Sequence, residues 1–250
     1  MMKTTTSLVK TLTFGLMALA ASLAASAASP LVHRYSFNDG TVNDSVGKAH
    51  GKTMGGVTIA DGQAHFDGKA GSRIELPPSG ADGINLNSYQ AVTLEAWYTI
   101  ESEEGWQRIF DFGATSGGQG SKYLFYTPHA TFFNDSRAVI TNKDRSGEAV
   151  VSASIVPSNK ETHVAIVIDD KTMTLYVDGV QAAPPQTLDG QTLAQVATEF
   201  ALLGASLYGA DPAFHGSLNE FRIYNVAATA AQITASFKAG PNTVVIGADQ

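Results

Sequence analysis

The chain is 250 residues long, sets 16 Lys and Arg against 23 Asp and Glu for a formal charge of −7, and has no cysteine. An acidic surface of this kind repels nucleic acid and anionic lipid, which argues against both as partners. Disulfides are excluded, so stability must come from a core that a chain of this length is large enough to bury.

Residues 1–27 read as a separate object. Lys3 and Lys10 form a positive start, residues 11–24 are uncharged and mostly apolar, and Ala25-Ser26-Ala27 is an A-x-A cleavage site. The apolar run falls short of the ~20 residues of a membrane span, and no later run is long enough for one. The expectation is a cleaved export signal without a lipid anchor and a secreted or periplasmic protein. One domain is expected over residues 28–241, with a C-terminal tail at 242–250.

Residues 31–37 alternate apolar and polar and predict the first strand, followed by turn chemistry at Asn38-Asp39-Gly40 and Asn43-Asp44-Ser45-Val46-Gly47. Further strands are predicted at 63–66, 73–76, 91–100, 107–112, 122–127, 137–141, 148–154, 161–169, 172–177 and 199–204. The run 172–177 enters Asp178-Gly179, a hairpin signal. Residues 217–225 alternate again, with Leu218, Glu220, Arg222 and Tyr224 on one face and Ser217, Asn219, Phe221 and Ile223 on the other. Neither face is cleanly polar, which predicts a strand lying between neighbours. Thr229-Ala230-Ala231-Gln232 has capping-box spacing, and a helix is predicted over 230–238, ended by Gly240 and Pro241. A dozen strands and one helix predict an all-β fold, a two-sheet antiparallel jelly-roll sandwich with one short C-terminal helix.

The closing strand and helix, from Gly216 to Ile233, resemble the end of bacterial laminin-G-like, concanavalin A-like lectin/glucanase domains. Other segments extend the resemblance in the same order: His33-Arg34-Tyr35-Ser36-Phe37, Asp44-Ser45-Val46-Gly47, Phe66-Asp67-Gly68 and Thr93-Leu94-Glu95-Ala96-Trp97. It continues through Trp106 to Gly113, His163-Val164-Ala165 and Leu175 to Gly179. The resemblance implies a scaffold that hosts lectins, adhesion modules and glycan-cleaving enzymes, so function has to be argued from side chains.

Glycoside hydrolysis needs two facing carboxylates. The Glu-x-Asp-x-x-Glu spacing of glucanase relatives is absent, leaving Glu95 and Asp111 as acids that would have to meet across strands. A lyase of the jelly-roll type would use Tyr123, Tyr126, His129 and Arg137. The six histidines show no metal-binding spacing, and no Gly-x-Ser-x-Gly elbow marks a nucleophile. The resemblance implies a structural calcium ion where first and last strands meet, with Asn38, Asp39, Asp44, Asn219 and Glu220 as its oxygen donors. Sugar stacking needs exposed aromatics. Trp97 follows the core alternation, whereas Trp106 follows Gly105 and an acidic loop and is expected at a lip. Trp106, Arg108, Tyr126 and Tyr208 are the expected ligand contacts. The expectation is a non-catalytic, exported carbohydrate-binding or adhesion module whose partner is a glycan or an extracellular protein, the alternative being a polysaccharide lyase or glycoside hydrolase.

Overall fold

The computed structural model describes residues 1–3 and 29–247. The predicted export signal therefore lies, apart from its first three residues, outside the described part. The strands are β1 (Leu31–Tyr35), β2 (Lys52–Met54), β3 (Thr58–Ala60), β4 (Gln63–Asp67), β5 (Arg73–Leu76), β6 (Val92–Ile100), β7 (Phe110–Ser116) and β8 (Gln119–Ala130). They continue as β9 (Asp135–Ile140), β10 (Ala149–Ser154), β11 (Glu161–Ile168), β12 (Thr172–Val177), β13 (Val180–Gln181), β14 (Gln186–Thr187), β15 (Phe200–Leu203) and β16 (His215–Tyr224), followed by helix α1 (Ala230–Ala239).

Two antiparallel sheets result. The nine-stranded sheet runs β13-β12-β11-β6-β16-β4-β3, with β1 also paired to β16 and β14 to β12; the seven-stranded sheet runs β10-β9-β8-β7-β15-β5-β2. Alternation along each strand sends one set of side chains into the space between the sheets. Leu94, Ala96 and Tyr98 of β6, Phe110 and Phe112 of β7, Leu124 and Tyr126 of β8 and Ile166 of β11 meet there, each large apolar side chain contributing ~1.5–3 kcal/mol by leaving water.

β16 lies mid-sheet, as its two-faced pattern predicts, but its alternation is broken. A register shift between Leu218 and Glu220 against β6 inserts one residue. Leu218 therefore shares the inter-sheet core with Phe221 and Ile223, while Glu220, Arg222 and Tyr224 face outward, a change of face that one bulge residue imposes. The capping box forms as predicted: Thr229 accepts from the Gln232 backbone N–H, and the Gln232 side chain accepts from the Thr229 N–H. Gly240 ends the helix at φ 79°.

Helix α1 covers the outer face of the nine-stranded sheet, where Ile233 joins Leu31, Val167, Tyr176 and Tyr224. Ile246 is buried in the same cluster and Val244 packs against it, while Arg222 donates to Pro241 O. Val244 and Ile246 thus hold the described end of the chain against the sheet, while Asn242 and Thr243 stay exposed. Trp97 is buried as expected, though on this outer face, its ring tilted against that of His163 with centres 4.4 Å apart and 4.6 Å from the Arg222 guanidinium.

Two further differences follow from local chemistry. β7 begins at Phe110, three residues later than predicted, after a turn at Gly105-Trp106, where Trp106 takes φ 69°, and a bend at Ile109. The short strands β2, β3, β13 and β14 are largely exposed pieces at sheet margins, too brief to leave a periodic signal. Gly117 and Gly118, both at positive φ, form the two-residue turn between β7 and β8.

Candidate functional site

Among the described residues no helix covers the outer face of the seven-stranded sheet. Tyr123 and Phe125 of β8, Val139 of β9 and Leu202 of β15 make its apolar floor, and the loop bearing Leu207 and Tyr208 rests on them. Gly120 permits that approach: a Cβ there would stand 2.7 Å from the Tyr208 ring. Above the floor lies a cavity of about 470 Å3, lined by Trp106, Arg108, Phe125, Phe132, Phe133, Arg137, Arg145, Glu148, Tyr208 and Asp211.

Its rim is built by two loops. The segment before β7 is stitched to the β8–β9 hairpin: the Trp106 N–H donates to His129 O at 2.7 Å, and His129 Nδ1 lies 2.8 Å from Glu103 O. Gly105 makes the contact close, since a Cβ would collide with the Thr131 hydroxyl at 1.5 Å. Trp106, half-buried, meets Phe133 edge-on at 6.1 Å. Phe132 and Phe133 remain 87% and 59% exposed, a large apolar area to leave in water.

Arginines fasten the aromatics. The Arg137 guanidinium lies 3.9 Å from the Phe133 ring centre and forks onto both Asp135 oxygens at 2.9 and 2.6 Å. Arg108 lies 3.9 Å from the Phe125 ring centre, donates to Trp106 O at 2.7 Å and to Asp211 Oδ2 at 3.0 Å. Asp211 Oδ2 also accepts from Ser206 Oγ at 2.7 Å. The Tyr123 hydroxyl donates to Glu148 Oε1 at 2.5 Å and lies 3.0 Å from the Tyr208 hydroxyl. Burial raises the Glu148 carboxyl, the Tyr123 hydrogen bond opposing it. Beneath, fully buried Asp111 accepts from the Leu207 N–H at 2.9 Å; burial pushes its carboxyl up to about 7, against the pull of Arg108. The result is a set of aromatic plates beside fixed donors and acceptors.

A family model described as the concanavalin A-like lectin/glucanases superfamily, of laminin G type, matches residues 66–234. The chain belongs to this superfamily. No curated protein sequence matches it. Among solved structures, this laminin G-type domain is similar to domain 4 of AbnA, an extracellular arabinanase of family GH43 from Geobacillus stearothermophilus, in complex with arabinotriose. The two are 22% identical over 83% of this chain and 98% of that one, with TM-score 0.66. It is also similar to the binding domain of botulinum neurotoxin DC in complex with rat synaptotagmin II, at 12% identity, TM-score 0.64 and coverage of 84% and 51%. The ligand binding domain of botulinum neurotoxin serotype D, in complex with N-acetylneuraminic acid, matches with the same values. The chain spans about half the length of the toxin domains it matches. At these identities the likeness is one of fold.

Of the expected ligand contacts, the domain brings Trp106, Arg108 and Tyr208 to one cavity. Tyr126 is a correction: it faces the inter-sheet core, fully buried, its hydroxyl 3.0 Å from that of Tyr98, because strand alternation turns it away from Tyr123 and Phe125. The same alternation divides the lyase set, leaving Tyr123 and Arg137 on the outer face and Tyr126 inside, with His129 tying loops together. Glu95 and Asp111 cannot pair either. They lie on the outer faces of opposite sheets, Glu95 held by His163 and Arg222 at 2.9 and 3.3 Å.

First and last strands meet, β1 against β16, and the three carboxylates of the calcium set accept from protein donors. Asp44 Oδ1 accepts from the N–H groups of Arg34, Val46 and Gly47, while Oδ2 accepts from Ala49 N–H and lies 2.7 Å from His33 Nδ1. Burial alone would raise this carboxyl, but the His33 and backbone bonds outweigh it and bring it down to about 2. Glu220 Oε1 accepts from Arg34 Nε and Arg222 Nε, both at 2.6 Å. Asp39 caps Thr41, Asn38 donates to Asn242, and Asn219 donates to Glu161. Asp39, Asp44 and Glu220 belong to no group of three or more His, Cys, Asp or Glu side chains that could hold a metal ion among the described residues.

Phe125, Glu148 and Asp211 were outside the expected set. Glu148 and Asp211 come from distant loops with no local motif. Phe125 sits on a strand apolar on both faces, so alternation gives no sign of which face is open.

Proposed function

We propose that this laminin G-type domain is an exported glycan-binding module without catalytic activity, and that it binds through the aromatic cavity on the outer face of the seven-stranded sheet. The observation that carries the reading is the meeting of Trp106, Phe132 and Phe133 with Arg108, Arg137, Glu148 and Asp211 around one cavity. Aromatic rings pack against the C–H faces of a sugar, while carboxylates and guanidinium forks bind its hydroxyls. The solved relative that carries arabinotriose supports the same class of ligand. Export is supported by the sequence of residues 1–27.

Most of the positive charge in the cavity is already answered. Arg108 is held by Asp211 and Arg137 by Asp135, and Glu148 adds a further acid. This balance favours neutral, hydroxyl-rich sugars over uronates or sulfated chains. A glycan array followed by product analysis on each binder tests the reading. Binding of neutral glycans with no new reducing ends or unsaturated uronates is expected. Cleavage would establish an enzyme, and an array without any binder would overturn the glycan reading.

A further inference from the structure

The outer face of the seven-stranded sheet carries a second cavity of about 390 Å3 directly beside the first, and the two share Tyr208 and Asp211. Its far wall is the Arg73–Glu75 pair of β5, joined at 2.5 Å, and its near wall is the loop of Ala205 and Gly209. Phe200 of β15 stands at its edge, 42% exposed, on the same face as Leu202. Each cavity lies within the range of about 300–1,000 Å3 that takes a small ligand; together they cross the sheet from Arg137 of β9 to Arg73 of β5.

We propose that the two cavities are consecutive subsites of one groove, and that its ligand is an interior stretch of a neutral polysaccharide rather than a chain-end sugar. The inference rests on the reading of the aromatic cavity as a glycan site. Aromatic surface is offered on both sides of the junction, by Trp106, Phe132 and Phe133 on one and Phe200 on the other. A single ring fills one side and leaves the other in water. The junction residues suit the linkage between sugars: the Tyr208 hydroxyl faces the Tyr123–Glu148 pair, and Asp211 Oδ2 is fixed by Arg108 and Ser206 while no described residue donates to Oδ1.

The test is calorimetric titration of the full chain with arabinose, arabinotriose and arabinohexaose, and with the matching xylose and β-1,4-glucose series. In a binding series, affinity is expected to rise about tenfold or more from the single sugar to the long oligomer, the equivalent of ~1.4 kcal/mol. Phe200→Ala should remove that gain and leave the binding of the short sugar unchanged. Gly209→Trp provides an independent block, because a Cβ at Gly209 meets nothing within 4 Å, and it should do the same. Trp106→Ala should weaken every length. Affinity independent of length, with Trp106 still required, would overturn the groove and leave the glycan site standing. A length gain that survives both second-cavity variants would also overturn it. Failure of all three series to bind would overturn the glycan reading and the groove together.

Discussion

The Arg108 guanidinium lies 3.9 Å from the centre of the Phe125 ring, although Arg108 precedes β7 and Phe125 is in the middle of β8. The planar group covers the ring and spends its edge on Trp106 O and Asp211, so one side chain sets the relative positions of plate, acid and floor. Arg108→Lys keeps the charge but cannot stack and fork at once. It is expected to raise the Kd for a bound glycan about tenfold, ~1.4 kcal/mol, with far-UV circular dichroism unchanged. An unaltered Kd in calorimetry would show that the fork does not position the site.

Trp106 occupies the left-handed region at φ 69°, which costs a residue with a Cβ roughly 1–2 kcal/mol. Trp106→Gly is therefore expected to be more stable than Trp106→Ala by about 1 kcal/mol, while both lose ~1–3 kcal/mol of glycan binding, as aromatic anchors do. Trp97→Ala should instead destabilise the fold by ~3–5 kcal/mol. Paired thermal melts and titrations separate the three variants.

Asp111 has its folded carboxyl raised from 3.8 to about 7. The stability held in its neutral form is complete below about pH 4 and is lost as pH rises through about 7. Melting temperature is expected to fall over that interval, and Asp111→Asn to flatten this component. A slope identical in the variant would assign the loss to another group.

Asp44 has the opposite sign, lowered from 3.8 to about 2. Its contribution, about 2 kcal/mol by linkage, is present above about pH 4 and is lost as pH falls through about 2. Denaturant unfolding of Asp44→Asn should show a smaller acid loss than the parent chain.

Ile246 is buried under the nine-stranded sheet beside Leu31 and Tyr224. Ile246→Ala is expected to cost ~2–5 kcal/mol as a core cavity, measured by chemical unfolding. A free tail would show no change.

The fold was legible because its signals are local. The Thr229–Gln232 box, the Asp178-Gly179 turn and the alternation of β6 act over a few residues. The facing of β16 was not, because a single inserted residue between Leu218 and Glu220 reverses the pattern and leaves composition unchanged. In the site, Trp106 was betrayed by its neighbours Gly105 and the acids, whereas Asp211 and Glu148 reach the cavity only through the packing of loops far apart in the chain. Tyr126 was hidden for a related reason: on a strand apolar on both faces, an aromatic looks alike from sequence whether it faces the outer surface or the core.

β16 joins β6, β4 and β1, yet it is made after all three. During synthesis the β7-to-β10 meander can pair as it emerges, since each strand meets the one before it. The nine-stranded sheet has a gap at its centre until residue 224 leaves the ribosome. Pairings this distant in sequence are slow to form, so closure of the nine-stranded sheet waits on β16 while the meander of the other sheet does not.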